Sequence, residues 1–424
     1  MKRNILIINA NSVYSNNATG ITLRSILNNI DSGKCMEIAW YGTLNDGTGG
    51  ISTIIPHYNI LSISNILLKG KRSNLNKSIK SSSIKKQESS VIKKCLSIIR
   101  QYLALVPDQT RVFLSTEDER RIKAFSPDVI YTLGGSVNAL RLSYELSCKY
   151  DIPVIIHHMD NWLHCIQWEN NPLLFRYKYR LRSYCKKCYS RTNKCIAISE
   201  KMAEDFTNET KVPHIAIMNS IDCNKYRCEN EIRYPFRFIY AGGMHLCRDR
   251  SLKDFAEAIE IYNSNNKRKA EFWIYTGNDN IALFGDLFKK YSATKLIPAV
   301  PHEDIKDVYM EANALLHVES STVLNSEFFK YSISTKIPEY LSTGKPVVFY
   351  GPNTLYLYQF LQDNNIAYVV NDRNRLEKLI SEIINETNRD LEIQENGIQY
   401  AKEHFDINKA IKDFENVVDT VELP

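Results

Sequence analysis

Glycine is scarce in this chain, 16 residues in 424, and that scarcity argues against repeat and linker architectures. No stretch approaches the ~18 apolar residues that a transmembrane helix needs. The opening MKRNILIINANSV follows its basic residues with an apolar run too short for a secretory signal, and no small-residue cleavage pattern comes after it. The expectation is a cytoplasmic protein whose ten cysteines stay reduced. They are scattered singly apart from Cys185 and Cys188, and no second pair stands at metal-ligand spacing. That pair reads as two thiols on one basic helix rather than half of a zinc site. Neither a Walker-type loop nor a Gly-x-Ser-x-Gly elbow occurs, and no Gly-x-Gly-x-x-Gly follows the first strand. Kinase, hydrolase and nicotinamide chemistry are disfavoured accordingly.

What is present is an ordinary globular composition, 44% apolar and 24% charged. At this length one hydrophobic core stops growing, so two domains are expected. The net charge of +6 is unevenly spread. Between Lys69 and Arg100 stand ten Lys and Arg residues with Glu88 the only acid, and a second basic segment runs between Arg176 and Lys194. Interleaved with Ile, Leu and Tyr, such segments suit an anionic membrane surface or, more plainly, a solvated basic face. No helix-turn-helix, zinc-finger or RNA-binding signature accompanies them, so nucleic acid is not an expected partner.

Short apolar strands alternate with amphipathic helical stretches, which implies parallel sheets covered on both faces. The first set of strands reads 4–10, 36–42, 128–135, 153–159, 195–199 and 214–219. Residues 221–235 are polar and without period, and read as a linker. A second set follows at 236–243, 271–277, 294–300, 314–320 and 346–351, and charged helices close the chain from about 375 to 421. The fold class is α/β, two doubly wound halves. Ligands of such sheets sit beyond the carboxyl ends of the strands.

The most informative stretch is YSISTKIPEYLSTGKPVVFYGP, residues 331–352. Ser332, Ser334 and Thr335 suit a helix start, and Pro338 fits only in a first turn. The helix is predicted to run to about Thr343, stop at Gly344 and feed the strand PVVFYG. A helix N-terminus lined by hydroxyls is an anion site suited to a diphosphate, and Lys336 adds a positive charge there. Glu339, one turn on, is an acceptor placed to hold vicinal hydroxyls; the plainer alternative is a capped helix with a solvated Glu339.

This stretch resembles the donor-binding motif of GT-B fold glycosyltransferases, particularly the retaining family 4 group that builds bacterial surface polysaccharides. The shared pattern is a Ser-Thr-Lys turn, then Pro-Glu-Tyr-Leu and Gly-Lys-Pro-Val. The resemblance spans most of the chain: SPDVIYTLGG, PVIIHHMDNW, IAISEKMAEDF and IMNSID are similar to successive first-domain segments, and FIYAGGMHLCRDRSL looks like the opening strand and basic loop of the donor domain. It implies two Rossmann-like domains facing a cleft. Residues 1–222 would form the acceptor side and 236–402 the nucleotide-sugar side, with a last helix at about 403–424 packing back on the first domain.

By the same resemblance Arg248 would neutralise the donor diphosphate, assisted by Arg250 or Lys253, with Gly243, Tyr331, Ser334, Thr335 and Lys336 lining the site and Glu339 holding the ribose. The motif usually carries two glutamates seven residues apart; here the first position is Tyr331, which leaves the transferred sugar unassigned, and Glu319 and Glu327 lie upstream as substitutes that spacing does not favour. In the first domain Gly20 follows the first strand, where a glycine lets backbone amides approach a phosphate or sugar. His158 and Asp160 end a strand where they could contact a donor sugar or guide the acceptor, although the resemblance leaves open whether His157 or His158 points inward. Metal-dependent transferases of the other major fold use an Asp-x-Asp pair. None follows a suitable strand, GNDN at 277–280 having one aspartate only. No metal or cofactor is implied; the nucleotide-sugar is a substrate. The implied activity is a metal-independent hexosyltransferase acting on a glycan or lipid-linked acceptor, peripheral on the inner membrane face. Two rivals are a nucleotide-sugar 2-epimerase and a catalytically silent subunit that binds a partner, the latter kept open by Tyr331.

Overall fold

The computed structural model describes residues 2–15, 18–30, 34–41, 51–58, 91–165, 171–228, 232–320, 330–385 and 388–424. Glu327 and the basic run from 69 to 90 therefore lie outside the described residues. By its contacts the chain divides into two compact units. One is Met1–Met218 with Glu327–Ser332 and Ala410–Pro424; the other is Asn219–Ser326 with Ile333–Lys409.

The first unit holds β1 (Ile5–Asn11), α1 (Ala18–Leu27), β2 (Cys35–Tyr41), β3 (Ser52–Ile54), β4 (His57–Tyr58), α2 (Val91–Gln109), β5 (Val112–Phe113), α3 (Thr116–Phe125), β6 (Val129–Leu133), α4 (Val137–Tyr150), β7 (Val154–His158), α5 (Phe175–Tyr189), β8 (Cys195–Ala197), α6 (Glu200–Thr210) and β9 (His214–Ala216). Its main sheet has the order β3-β2-β1-β6-β7-β8-β9, and all its pairings are parallel. Ile5 to Ile8 are all buried, as an unbroken apolar run must be when helices cover both sheet faces. Local signals set the helix ends. Ser115 and Asp118 form a reciprocal capping box at α3, and the Ser136 hydroxyl accepts from the Ala139 amide at α4. Asp108 reinforces α4 by accepting from the Ser136 hydroxyl and the Val137 amide.

The second unit holds α7 (Cys223–Tyr226), β10 (Phe236–Ala241), α8 (Arg248–Asn265), β11 (Ala270–Thr276), α9 (Asn278–Phe288), β12 (Thr294–Pro298), α10 (Ile305–Met310), β13 (Ala314–Val318), α11 (Lys336–Thr343), β14 (Val347–Tyr350), α12 (Tyr356–Asp363), β15 (Tyr368–Val370), α13 (Leu376–Asn385) and α14 (Asn388–His404). Its sheet has the order β12-β11-β10-β13-β14-β15, again all parallel. The last helix, α15 (Ile407–Thr420), returns to the first unit for most of its length: Phe414 meets Tyr131 edge-on at 5.4 Å, and Arg3 donates to the Val418 and Val421 carbonyls.

Two sequence expectations change. The stretch 221–235 is not a free linker: the units divide between Met218 and Asn219, and Asp222 caps the short helix α7. The Cys223 thiol reaches the Ala401 carbonyl at 3.4 Å, so α7 packs into the second unit. A helix of four residues is too short to show a period. Strands β3, β4, β5 and β15, none longer than three residues, escaped for the same reason. Cys185 and Cys188 are free thiols in the first core, and Cys188 donates to the Leu140 carbonyl. Among the described residues no helix is long and apolar enough to cross a membrane.

Candidate functional site

In the second sheet the strand order reverses between β10 and β13, which opens a crevice beyond their carboxyl ends. β10 leaves through Gly242 and Gly243 towards Arg248, the first residue of α8, and β13 leaves into Glu319. These two side chains close over the reversal: Arg248 Nε donates to Glu319 Oε2 at 3.1 Å and Nη2 to Oε1 at 2.5 Å. The pair is nearly sealed, with side chains 11% and 14% exposed. Burial alone would raise the Glu319 pKa; the His317 N–H bond and the Arg248 charge outweigh it and hold the carboxyl at about 2. A guanidinium has five N–H donors, and Glu319 engages only Nε and Nη2. Nη1 faces His245 Nε2 at 3.5 Å and keeps donor capacity for an anion.

Lys336, the first residue of α11, is the other cation here. Its ammonium lies over Gly242, only 2.6 Å from where a Cβ on that glycine would stand, and 5.9 Å from the Tyr240 ring. Among the described residues it has no carboxylate at ion-pair distance. Burial, and then the neighbouring Arg248 charge, bring its pKa down to about 8. An anion placed between the two would relieve both effects. Affinity for an anion bound here should therefore hold steady up to about pH 8 and then fall by up to about 10-fold per pH unit, as the ammonium loses its proton. Stability of the empty protein should move the other way. A lysine whose folded pKa is depressed leaves the unfolded chain holding more protons above pH 8, so its destabilising effect fades as pH rises. Titration calorimetry for the affinity and thermal melts of the empty protein for the stability, across this range with Lys336→Arg as a flat control, check the two signs.

One turn along α11, Glu339 is buried rather than solvated. Its Oε2 accepts from the Tyr309 hydroxyl at 2.7 Å and its Oε1 from the Tyr226 hydroxyl at 3.3 Å, with His302 Nε2 at 4.0 Å. Burial raises its pKa against these hydrogen bonds. Each carboxylate oxygen accepts two bonds, so both keep room for a further donor. Tyr309 also meets the Tyr340 ring at 5.2 Å, and the Tyr340 hydroxyl accepts from the Ala241 amide, which seats α11 on the end of β10. α11 ends at Gly344 with φ of 76°, a conformation that a side chain would strain, as the sequence predicts. Sequence reading missed Glu319 as the partner of Arg248, and missed Tyr226 and Tyr309 altogether; nothing local marks any of them.

Other candidates fall elsewhere. Arg250 is exposed, and Arg250 and Lys253 lie roughly 200° and 140° around α8 from Arg248, at 3.6 residues per turn. They do not join the cluster, which corrects their assisting role. Ser334 and Thr335 do precede α11, but Thr335 has helical backbone angles and makes no side-chain cap bond. The Ser334 hydroxyl reaches the Lys336 amide only at 3.5 Å. Gly243 offers its carbonyl to the Tyr240 hydroxyl at 2.7 Å. Tyr331 belongs to the first unit, where it packs on Phe206 and donates to Asp205 at 2.8 Å.

The first sheet has its own order reversal, between β1 and β6. A cavity of about 130 Å³ opens beyond these strands, lined in part by Asn9, Ser12, Gly20, Gly135 and Trp162. Gly20 is compulsory, since a Cβ there would stand 2.1 Å from the Ser15 carbonyl oxygen. Two charged residues overlooked in the sequence shape this loop. Arg24 donates to the Val13 and Ser15 carbonyls, and buried Glu37 accepts from the Ser12 hydroxyl and the Val13 amide. His158 is corrected from a catalytic candidate to a core imidazole. It is fully buried, shares a hydrogen bond with the Tyr189 hydroxyl at 2.8 Å and packs on Phe206 and His214. Burial lowers its pKa well below the ordinary value, which keeps it neutral. His157 is likewise buried against Tyr131. Asp160 is half-buried just past β7, where burial pushes its carboxyl up to about 7.

The sequence matches no protein-family model and no curated protein. Solved structures match along the whole chain. Sucrose-phosphate synthase from Thermosynechococcus elongatus is 11% identical with a TM-score of 0.63, covering 99% of this chain and 98% of its own. Anabaena HepE in complex with UDP-glucose is 13% identical with a TM-score of 0.59, covering 99% and 100%. A putative UDP-N-acetylglucosamine 2-epimerase from Listeria monocytogenes is 10% identical with a TM-score of 0.55, covering 99% and 96%. At such identities the likeness establishes the fold: the chain has the GT-B architecture of two Rossmann-like parallel-sheet units.

Proposed function

We propose that this protein is a glycosyltransferase that moves a sugar from a nucleotide-sugar to a glycan or lipid-linked acceptor in surface-polysaccharide synthesis. The observation that carries this reading is Lys336, a cation without a carboxylate partner among the described residues, beside the clamped Arg248 at the order reversal of the second sheet. Tyrosine-held Glu339 sits one turn along the same helix. The HepE complex with UDP-glucose supports a nucleotide-sugar as the ligand of this architecture. Lys336 and Arg248 Nη1 would take the diphosphate, and Glu339 the ribose hydroxyls. In the transfer, the acceptor oxygen bonds to the anomeric carbon as the bond to the β-phosphate oxygen breaks. The acceptor proton passes to that departing phosphate, on the same face, so configuration is retained. Charge on the leaving diphosphate is met by fixed cations, without a metal. The acceptor is held at the inner membrane face.

A thermal-shift screen of UDP, GDP, CMP, ADP and their sugar conjugates tests this. A binder at about 100 times its Kd stabilises the fold by about 2.7 kcal/mol. A selective shift with one nucleotide family, abolished in Glu339→Ala, is expected. No shift with any nucleotide would overturn the reading in favour of a silent subunit. The Listeria likeness favours one specific rival, the 2-epimerase. Conversion of the donor to an isomer without acceptor would establish that reaction instead.

A further inference from the structure

We infer that the cavity at the order reversal of the first sheet receives the N-acetyl group of an acceptor sugar, with Asn9 as the residue that selects it. The acceptor role rests on the transferase reading; the sugar class goes beyond it. Every residue that lines the cavity belongs to the first unit.

Asn9 lies near the end of β1, borders the cavity and is 1% exposed. The Leu133 amide meets its carboxamide at 2.9 Å. A backbone N–H only donates, so the atom it meets is Oδ1, and that fixes which end of the carboxamide is Nδ2. Nδ2 is buried and has no hydrogen-bond partner among the described residues. A buried donor left unanswered is costly, and an occupant with an accepting oxygen removes that cost. The hydroxyls around it have no proton to offer. Ser12 donates to Glu37, and Ser136 donates to Asp108.

The remaining wall selects what carries that oxygen. Among the described residues no charged side chain lines the cavity, so a phosphate or carboxylate would lose its water without gaining a counter-charge. Leu23, Leu133 and Ala139 make part of the wall apolar. Trp162 closes one side: a Cβ on Gly135 would stand 2.7 Å from its ring, so the indole can lie there only against a glycine. A bare hydroxyl would answer Asn9 and leave the apolar wall uncovered. Size excludes a whole sugar. A cavity of about 150 Å³ holds benzene, and this one, at about 130 Å³, is slightly smaller. A pyranose exceeds that space, whereas an acetamido group fits it. Its carbonyl oxygen would accept from Asn9 Nδ2 and its methyl would meet the apolar wall, with the sugar ring left at the mouth.

Saturation-transfer NMR and titration of the full chain with methyl glycosides of N-acetylglucosamine, N-acetylgalactosamine and glucose test the inference. The acetyl methyl should take the strongest saturation, and an acetylated glycoside should bind at least about 10-fold more tightly than the glucoside. Asn9→Asp keeps the oxygen that accepts from Leu133 but puts an acceptor where the donor was, so the preference should vanish. Ala139→Leu fills the cavity from α4 without adding a charge, and keeps the test open if the buried aspartate prevents folding. It should bring the acetylated glycosides down to the level of the glucoside. Equal affinity for acetylated and plain glycosides, or no binding of the acetylated ones, would overturn the inference and leave an ordered water as the occupant. A preference that survives in either folded variant would overturn it as well. The nucleotide screen separates the two readings. Acetyl selectivity without any nucleotide shift sinks only the transferase reading, and a nucleotide shift without acetyl selectivity sinks only the assignment of this cavity.

Discussion

Glu319→Ala is expected to cost about 3 kcal/mol of stability, since removing one partner of a buried ion pair leaves the other charge uncompensated. Arg248 would then lie largely out of water beside Lys336, with no carboxylate among the described residues at bonding distance to balance either. His317, whose Nε2 bonds Glu319 at 3.2 Å, would lose its partner as well. Urea unfolding of single and double variants checks the origin of the loss. Arg248→Met combined with Glu319→Leu should recover most of it, because a buried pair replaced by apolar residues of similar volume is often neutral in stability. A Glu319→Ala variant as stable as the parent would show that the pair is not the clamp described here. The double variant should nonetheless be inactive in sugar transfer, which separates the structural role of Glu319 from the proposed diphosphate contact of Arg248.

Lys336→Met should lower nucleoside-diphosphate affinity by about 10- to 100-fold, the worth of one charge-assisted hydrogen bond to a ligand phosphate. Its thermal midpoint should stay level or rise. The depressed lysine pKa means that the fold disfavours this charge, and a methionine of similar length fills the same space without it. Opposite signs for affinity and stability distinguish a ligand-binding cation from a structural one. Calorimetric titration with the nucleotide chosen by the screen, beside a thermal melt, reads both. Parent-like affinity would remove Lys336 from the diphosphate site.

Much of the scaffold was legible because its signals are local. The run ILII at β1 and the run LLHV at β13 announce buried parallel strands within a few residues. Pro338 in the first turn and Gly344 at the end delimit α11. The resemblance placed Arg248, Lys336 and Glu339 as chemistry worth testing, and the structure gathers the first two. What it could not supply were the partners. Glu319 stands 71 residues from Arg248, and Tyr226 stands 113 from Glu339 in a stretch that reads as a polar linker. His158 looked available because a strand end is where ligands bind, but Tyr189, Phe206 and His214 cover its ring.

The sequence by itself determined the alternation of strands and helices, hence two doubly wound parallel sheets, the limits of α11 and the basic, apolar character of α2 and α5. Each is set by neighbours within a turn or a strand, through capping, backbone preference and periodicity. Tertiary structure alone decided which charges are already answered and which are not. It paired Arg248 with Glu319, left Lys336 beside them at a pKa near 8, and fixed Glu339 between two tyrosines. Burial and Coulomb interactions depend on distance in space, and packing alone brings distant residues close enough for them to act.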